Sequence, residues 1–258
     1  MMQRKMSRTR AVGSLALASL LSFGGCADVG AEEMERDDVL EQASRADQGK
    51  GNGSDVVTIG DSWMSNTLQI EGTGGGIYAS LQKLGLRYRN YGVQGVWMLQ
   101  SSLFGPAIPT QLTTALRQNS GIKTIIMTGG GNDVIQTPGM QADCKRSGNN
   151  CATLLKKIGT ELVGMWEKMG AAGVQDVLYV GYSESAGDAG PSAPTPLKNG
   201  IAELCAAQTS IRCHILDTTP LVPEFGGLAI DGIHPVAAAN DRIAKAIVAK
   251  LEAEGIRR

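Results

Sequence analysis

The sequence predicts an α/β domain of three layers (α/β/α): a parallel sheet of about five strands with helices on both faces. Two observations lead there. From residue 55 onward, short strand-like runs alternate with helix-like runs, the pattern of a mostly parallel sheet with crossover helices. The chain has 258 residues, 42% of them hydrophobic and 19% charged, enough for one such domain and short appendages.

The appendages come first. Residues 1–25 carry Arg4, Lys5, Arg8 and Arg10 and no acid, then the uncharged run AVGSLALASLLSF. This is the layout of a secretory signal peptide, too short for a permanent membrane span. Gly24, Gly25 and Cys26 follow. Small residues before a cysteine resemble a bacterial lipobox, with Phe23 where leucine is usual. Cys26 is therefore the expected lipidation site, and simple cleavage is the other reading. Residues 26–54 are polar and acidic and read as a tether. The folded domain is expected over 55–258.

Within the domain, strands are expected at 56–60, 86–91, 123–128, 176–181 and 214–217. Each is apolar or β-branched and bounded by Gly, Asn or Asp. Helices are expected at 77–84, 110–118, 151–169, 196–208 and 235–253. The third carries Leu154, Leu155, Ile158, Leu162 and Met165 at helical spacing. The last two open on Pro196 and Pro235, where a first turn tolerates proline. Residues 183–196, SESAGDAGPSAPTP, read as a surface loop. Gly72–Gly76 lacks the Lys-Ser/Thr ending of a phosphate loop and reads as a flexible loop.

Without residues 1–25 the chain has 20 basic against 25 acidic residues. That balance gives no attraction to nucleic acid. Apart from Cys26 there are four cysteines. In an exported chain they predict two disulfides. Of three possible pairings, Cys144–Cys151 and Cys205–Cys213 close short loops. No Cys/His spacing suggests zinc.

In parallel sheets ligands sit at the carboxyl ends of strands, and four groups of residues fall there or at the last turn. They are Gly60-Asp61-Ser62, Asn90 to Gly95, Gly130-Gly131-Asn132-Asp133, and Asp231-Gly232-Ile233-His234. A serine hydroxyl needs a base, and the chain has two histidines. His214 lies inside an expected strand. His234 lies in a turn, with Asp231 placed to hold one imidazole nitrogen while the other faces Ser62. The backbone N–H groups of Ser62 and Gly95 and the Asn132 amide can serve as oxyanion donors.

These four blocks resemble the SGNH (GDSL-type) hydrolase family over about residues 55–254, with Trp63 where leucine usually follows the serine. The resemblance implies a flavodoxin-like SGNH fold and ester or thioester hydrolysis through an acyl-enzyme, without metal or cofactor. Ser62 is the implied nucleophile, His234 the base, Asp231 its orienter, and Ser62, Gly95 and Asn132 the oxyanion hole. Asp61 and Asp133 are expected to be structural, Asp133 through local hydrogen bonds. Trp63 and Trp97 either line an acyl pocket or pack in the core. A rival nucleophile is Ser183, in Gly181-Tyr182-Ser183-Glu184-Ser185, which lacks the final glycine of a G-x-S-x-G elbow.

The expected substrate is a short acyl ester, acetylated carbohydrate among the possibilities. A longer-chain lipid ester or thioester is the alternative, and a non-catalytic envelope- or carbohydrate-binding protein the reading from another class. The chain is expected to be monomeric, exported as an envelope lipoprotein or secreted, and to touch a membrane only through its anchor.

Overall fold

The computed structural model describes residues 53–67, 70–183, 195–223 and 226–256. The expected leader, Cys26, the tether up to residue 52 and most of the 183–196 loop lie outside the described residues. Strand β1 spans Gly53–Ile59, so the last two residues of the expected tether belong to the sheet.

The chain then alternates as expected: α1 (Gly76–Lys83), β2 (Tyr88–Asn90), α2 (Ile108–Gln118), β3 (Thr124–Met127), α3 (Gly131–Ile135), α4 (Met140–Lys145), α5 (Asn149–Ala171), β4 (Asp176–Val180), α6 (Thr195–Ala207), β5 (Arg212–Leu216), a 3-10 turn (Thr219–Leu221) and α7 (Ala237–Ala253). The five strands are all parallel, in the order β2-β1-β3-β4-β5. Strand order reverses at β1, which puts the carboxyl ends of β1 and β3 at the switch point where sheets of this kind bind ligands.

The inner strands are buried on both faces because both faces are covered. Val56, Val57 and Ile59 of β1, Ile125, Ile126 and Met127 of β3, and Val177, Leu178 and Val180 of β4 are fully buried. β-Branched residues suit such positions. On one side α1 packs against α7; on the other, α5 packs against α2 and α6. Helix α5 buries Ile158, Leu162, Met165, Trp166 and Met169, one stripe at helical spacing. Each such side chain contributes roughly 1.5–3 kcal/mol by leaving water.

Cys144 is bonded to Cys151, joining α4 to α5, and Cys205 to Cys213, joining α6 to β5. No helix among the described residues is long and apolar enough to cross a membrane.

Two short helices were not expected, and the last helix starts later than expected. Helices α3 and α4, of five and six residues, are too short to show a hydrophobic period. Helix α7 starts at Ala237, two residues after Pro235. Val236 is extended (ψ 161°), Leu228 and Pro235 form an antiparallel bridge, and Val236 N–H donates to Gly227 O. A pairing across the loop thus takes the place of the helix's first turn and holds the segment carrying His234.

Candidate active site

The turn after β1 is built around a buried carboxylate. Gly60 has φ +140°, and a Cβ there would stand 2.2 Å from Thr128 Oγ1, so only glycine lets β1 and β3 approach this closely. The Gln111 side chain grips the Gly60 backbone at both ends: Oε1 accepts from its N–H (2.8 Å) and Nε2 donates to its carbonyl (3.0 Å). Asp61 Oδ1 accepts from Trp63 N–H (3.1 Å) and the Thr128 hydroxyl (3.0 Å), and Oδ2 from the Tyr182 hydroxyl. Asp61 therefore ties together the ends of β1, β3 and β4. Burial pushes its carboxyl above the ordinary range, against the opposing pull of Tyr182, the Trp63 N–H, Thr128 and His234. The turn presents Ser62, itself almost buried at 8% exposure.

His234 arrives from the other end of the chain. Its Nε2 lies 2.6 Å from Ser62 Oγ, and its Nδ1 lies 2.6 Å from Asp231 Oδ2. A carboxylate at Nδ1 requires the proton there, which leaves Nε2 free to accept from the serine hydroxyl. Asp231 Oδ1 accepts from the N–H groups of Ile233 (2.9 Å) and His234 (3.1 Å). Burial opposes its ionisation, but these N–H groups and the imidazole outweigh it and hold the carboxyl below its ordinary range. The Trp63 indole N–H donates to Ile233 O (3.0 Å), so the residue after Ser62 fastens the turn before His234. Trp63 is buried and meets Tyr182 edge-on at 5.1 Å. Trp97 is only partly buried.

The second and third blocks are bound to each other. Asn90 Oδ1 accepts from Thr58 Oγ1 (2.8 Å) and Gly92 N–H (2.9 Å), pinning the loop that follows β2 to β1. Farther along, Gly95 has φ +67°, a left-handed conformation that favours glycine. One hydrogen of the Asn132 amide goes to Val96 O (2.7 Å), which leaves the other free. Among the described residues, neither Ser62 N–H nor Gly95 N–H has an acceptor.

The bonds of Asp133 are not local, contrary to expectation. Its carboxylate accepts from Met98 N–H (2.8 Å) and Leu99 N–H (3.0 Å). It clamps the far end of the Gly95 loop to the start of α3. Burial, opposed by those two N–H groups, pushes Asp133 up to about 6. The folded state thus holds this proton more tightly than an unfolded chain. The associated stability is complete below the ordinary carboxylate value, about 3.9, and is lost as pH rises through about 6. An Asp133→Asn variant, which cannot titrate, is expected to gain on the wild type across that window and keep a constant offset above it. Urea midpoints measured through the window check this; a pH-independent difference contradicts it.

His214 sits in β5 on Asp176 Oδ1 (3.0 Å), beside an Arg212–Asp176 ion pair of 2.7 Å. Asp176 opens β4, so this group lies at the opposite end of the sheet. Ser183 is buried, and the imidazole of His234 engages Ser62 instead. The glycine-rich run, expected to be flexible, is pinned: Gly72 O accepts from Ala237 N–H (2.7 Å) and Thr73 O from Asn240 Nδ2 (2.9 Å). Gln111, Thr128 and Tyr182 were not expected in the site. Only Gln111 left a signal, as a polar residue on the apolar face formed by Ile108, Leu112 and Ala115.

No family model and no curated protein matches the sequence. Solved structures do match the fold. A carbohydrate acetylesterase from Sinorhizobium meliloti is 18% identical with a TM-score of 0.53, over 77% of this chain and 98% of that one. The native aryl esterase of M. smegmatis is 16% identical with a TM-score of 0.52, over 77% and 98%. A further carbohydrate acetylesterase family member from S. meliloti is 16% identical with a TM-score of 0.52, over 78% and 99%. At such identities the likeness is one of fold.

Proposed function

We propose that this chain is a serine ester hydrolase of the SGNH kind, working through an acyl-enzyme. The observation that carries the reading is the unbroken line from Asp231 through His234 to Ser62, with both of its links 2.6 Å long. In this reading His234 takes the Ser62 proton as Oγ attacks an ester carbonyl. The N–H groups of Ser62 and Gly95 and the free Asn132 amide hydrogen receive the oxyanion. His234 then protonates the departing alcohol, and water repeats the sequence to free the acid. The fold is shared with proteins named as carbohydrate acetylesterases and aryl esterases, which supports ester chemistry here.

The substrate proposed first is a short acyl ester, including acetylated carbohydrate. One observation favours an ester with a larger apolar part, the exposed Phe104 ring against Gly95 with the exposed Leu103 next to it in the chain. We read the domain as a monomer at work outside the cytoplasm, secreted or lipidated at Cys26 behind a signal peptide and tether. Two disulfides suit an oxidising compartment.

Labelling with a fluorophosphonate tests the chemistry. One label per chain is expected, lost in Ser62→Ala and kept in Ser183→Ala. A label that survives Ser62→Ala moves the nucleophile elsewhere, and a wild type that takes no label favours a non-catalytic binding protein.

A further inference from the structure

Between Gly95 and α2 the chain makes a tight outward turn. Ser102 N–H donates to Gly105 O (2.9 Å) and Gly105 N–H to Ser102 O (3.3 Å). The Ser102 hydroxyl accepts from Phe104 N–H (3.1 Å). At the tip, Leu103 is fully exposed and Phe104 is 55% exposed. Exposed Leu99 lies on the same loop, and Ile230, also fully exposed, immediately precedes Asp231. A scattered surface leucine needs no explanation. Leu99, Leu103 and Phe104 share the loop that carries Gly95, and Ile230 stands on the loop that carries His234.

One side of Phe104 is packed. Its ring lies directly on Gly95, where a Cβ would come within 2.4 Å of Cδ2 and 2.9 Å of Cε2. Gly105 seats the turn against Val93 and Val96, whose Cγ1 atoms stand 3.1 and 3.6 Å from a Cβ built there. The ring therefore lies against the residue whose N–H faces the substrate carbonyl in the proposed mechanism. Phe104 is thus an exposed aromatic surface in contact with a residue that the proposed mechanism puts beside the substrate carbonyl.

We infer that the Leu103–Phe104 turn is an apolar subsite, and that the substrate is an ester with an aliphatic or aromatic arm rather than one polar on both sides. This rests on the hydrolase reading above. The shared chemistry is an apolar arm, and it can come from the acyl or the alcohol side. Burying such an arm against Leu103 and Phe104 removes apolar surface of both partners from water.

Three esters separate the possibilities: ethyl acetate as reference, ethyl hexanoate for the acyl side and hexyl acetate for the alcohol side, each followed by titration of released acid. The wild type is expected to prefer one six-carbon ester over ethyl acetate by about tenfold or more in kcat/KM. Phe104→Ala is expected to reduce that ratio by about fivefold or more, mainly through KM. Because the readout is a ratio, any general loss of activity cancels. Leu103→Ser, at a side chain wholly in solvent, is expected to reduce the same ratio without disturbing Gly95.

No preference in the wild type, or an unchanged ratio in both variants, overturns the subsite while leaving the hydrolase reading intact. An unchanged ratio with a change in sedimentation would make the turn a self-association surface instead. If none of the esters is cleaved and Ser62 takes no label, the hydrolase reading itself fails and the subsite with it.

Discussion

Replacing His234 with alanine is expected to lower kcat by about three to six orders of magnitude, with little effect on folding. The size follows from the role proposed for the imidazole. At neutral pH a serine hydroxyl is a poor nucleophile until a base takes its proton, and Nε2 of His234 is the group within reach, 2.6 Å from Ser62 Oγ. The only other histidine, His214, is committed to Asp176 across the sheet. The fold should survive because the turn does not depend on the ring. Asp231 still accepts from the Ile233 N–H and the backbone N–H of residue 234, and Trp63 still donates to Ile233 O. Circular dichroism and thermal melting establish that the variant is folded, and ester turnover then gives the loss. Activity within tenfold of wild type would remove His234 from the mechanism.

Asn132→Ala is expected to cost about 10²–10³ in kcat with a much smaller change in KM. An oxyanion donor acts most strongly on the charge that develops in the transition state, so its loss appears in kcat. Asn132 is suited to the task because one amide hydrogen is held by Val96 O at 2.7 Å. That bond fixes the orientation of the amide before any substrate arrives. The same bond holds the Gly95 loop, so the variant would lose one proposed oxyanion donor and part of the positioning of a second. Steady-state kinetics on a single ester decide the matter. A rise confined to KM would make Asn132 a substrate-positioning group, and no change in either parameter would exclude it from the site.

Much of this arrangement was legible in the chain. The alternation of β-branched runs with helical stripes predicts the layered sheet because burial on both faces leaves an apolar strand such as Thr124–Met127 no other environment. The glycines, Ser62, Asn132, Asp231 and His234 were readable because each block falls at a strand end or turn, where side chains converge on the crevice. Neither the helices of five and six residues nor the bridge at Pro235 could be read. A period needs several turns to appear, and the bridge joins residues whose neighbourhood only the folded chain creates.

Asp133 marks the same boundary. Its sequence setting suggests a local turn, yet its partners Met98 and Leu99 lie 35 and 34 residues upstream. Likewise Tyr182 reaches Asp61 across 121 residues. From primary structure alone follow the fold class, the chemistry-bearing residue types and their order along the chain, since hydrophobic period and turn composition are local properties. That Asp231 holds the imidazole was legible from its place three residues before His234; the three-dimensional fold alone decides which carboxylate clamps a loop and which one anchors the turn carrying Ser62. Those roles depend on hydrogen-bond partners and burial supplied by distant segments, and no local pattern encodes them.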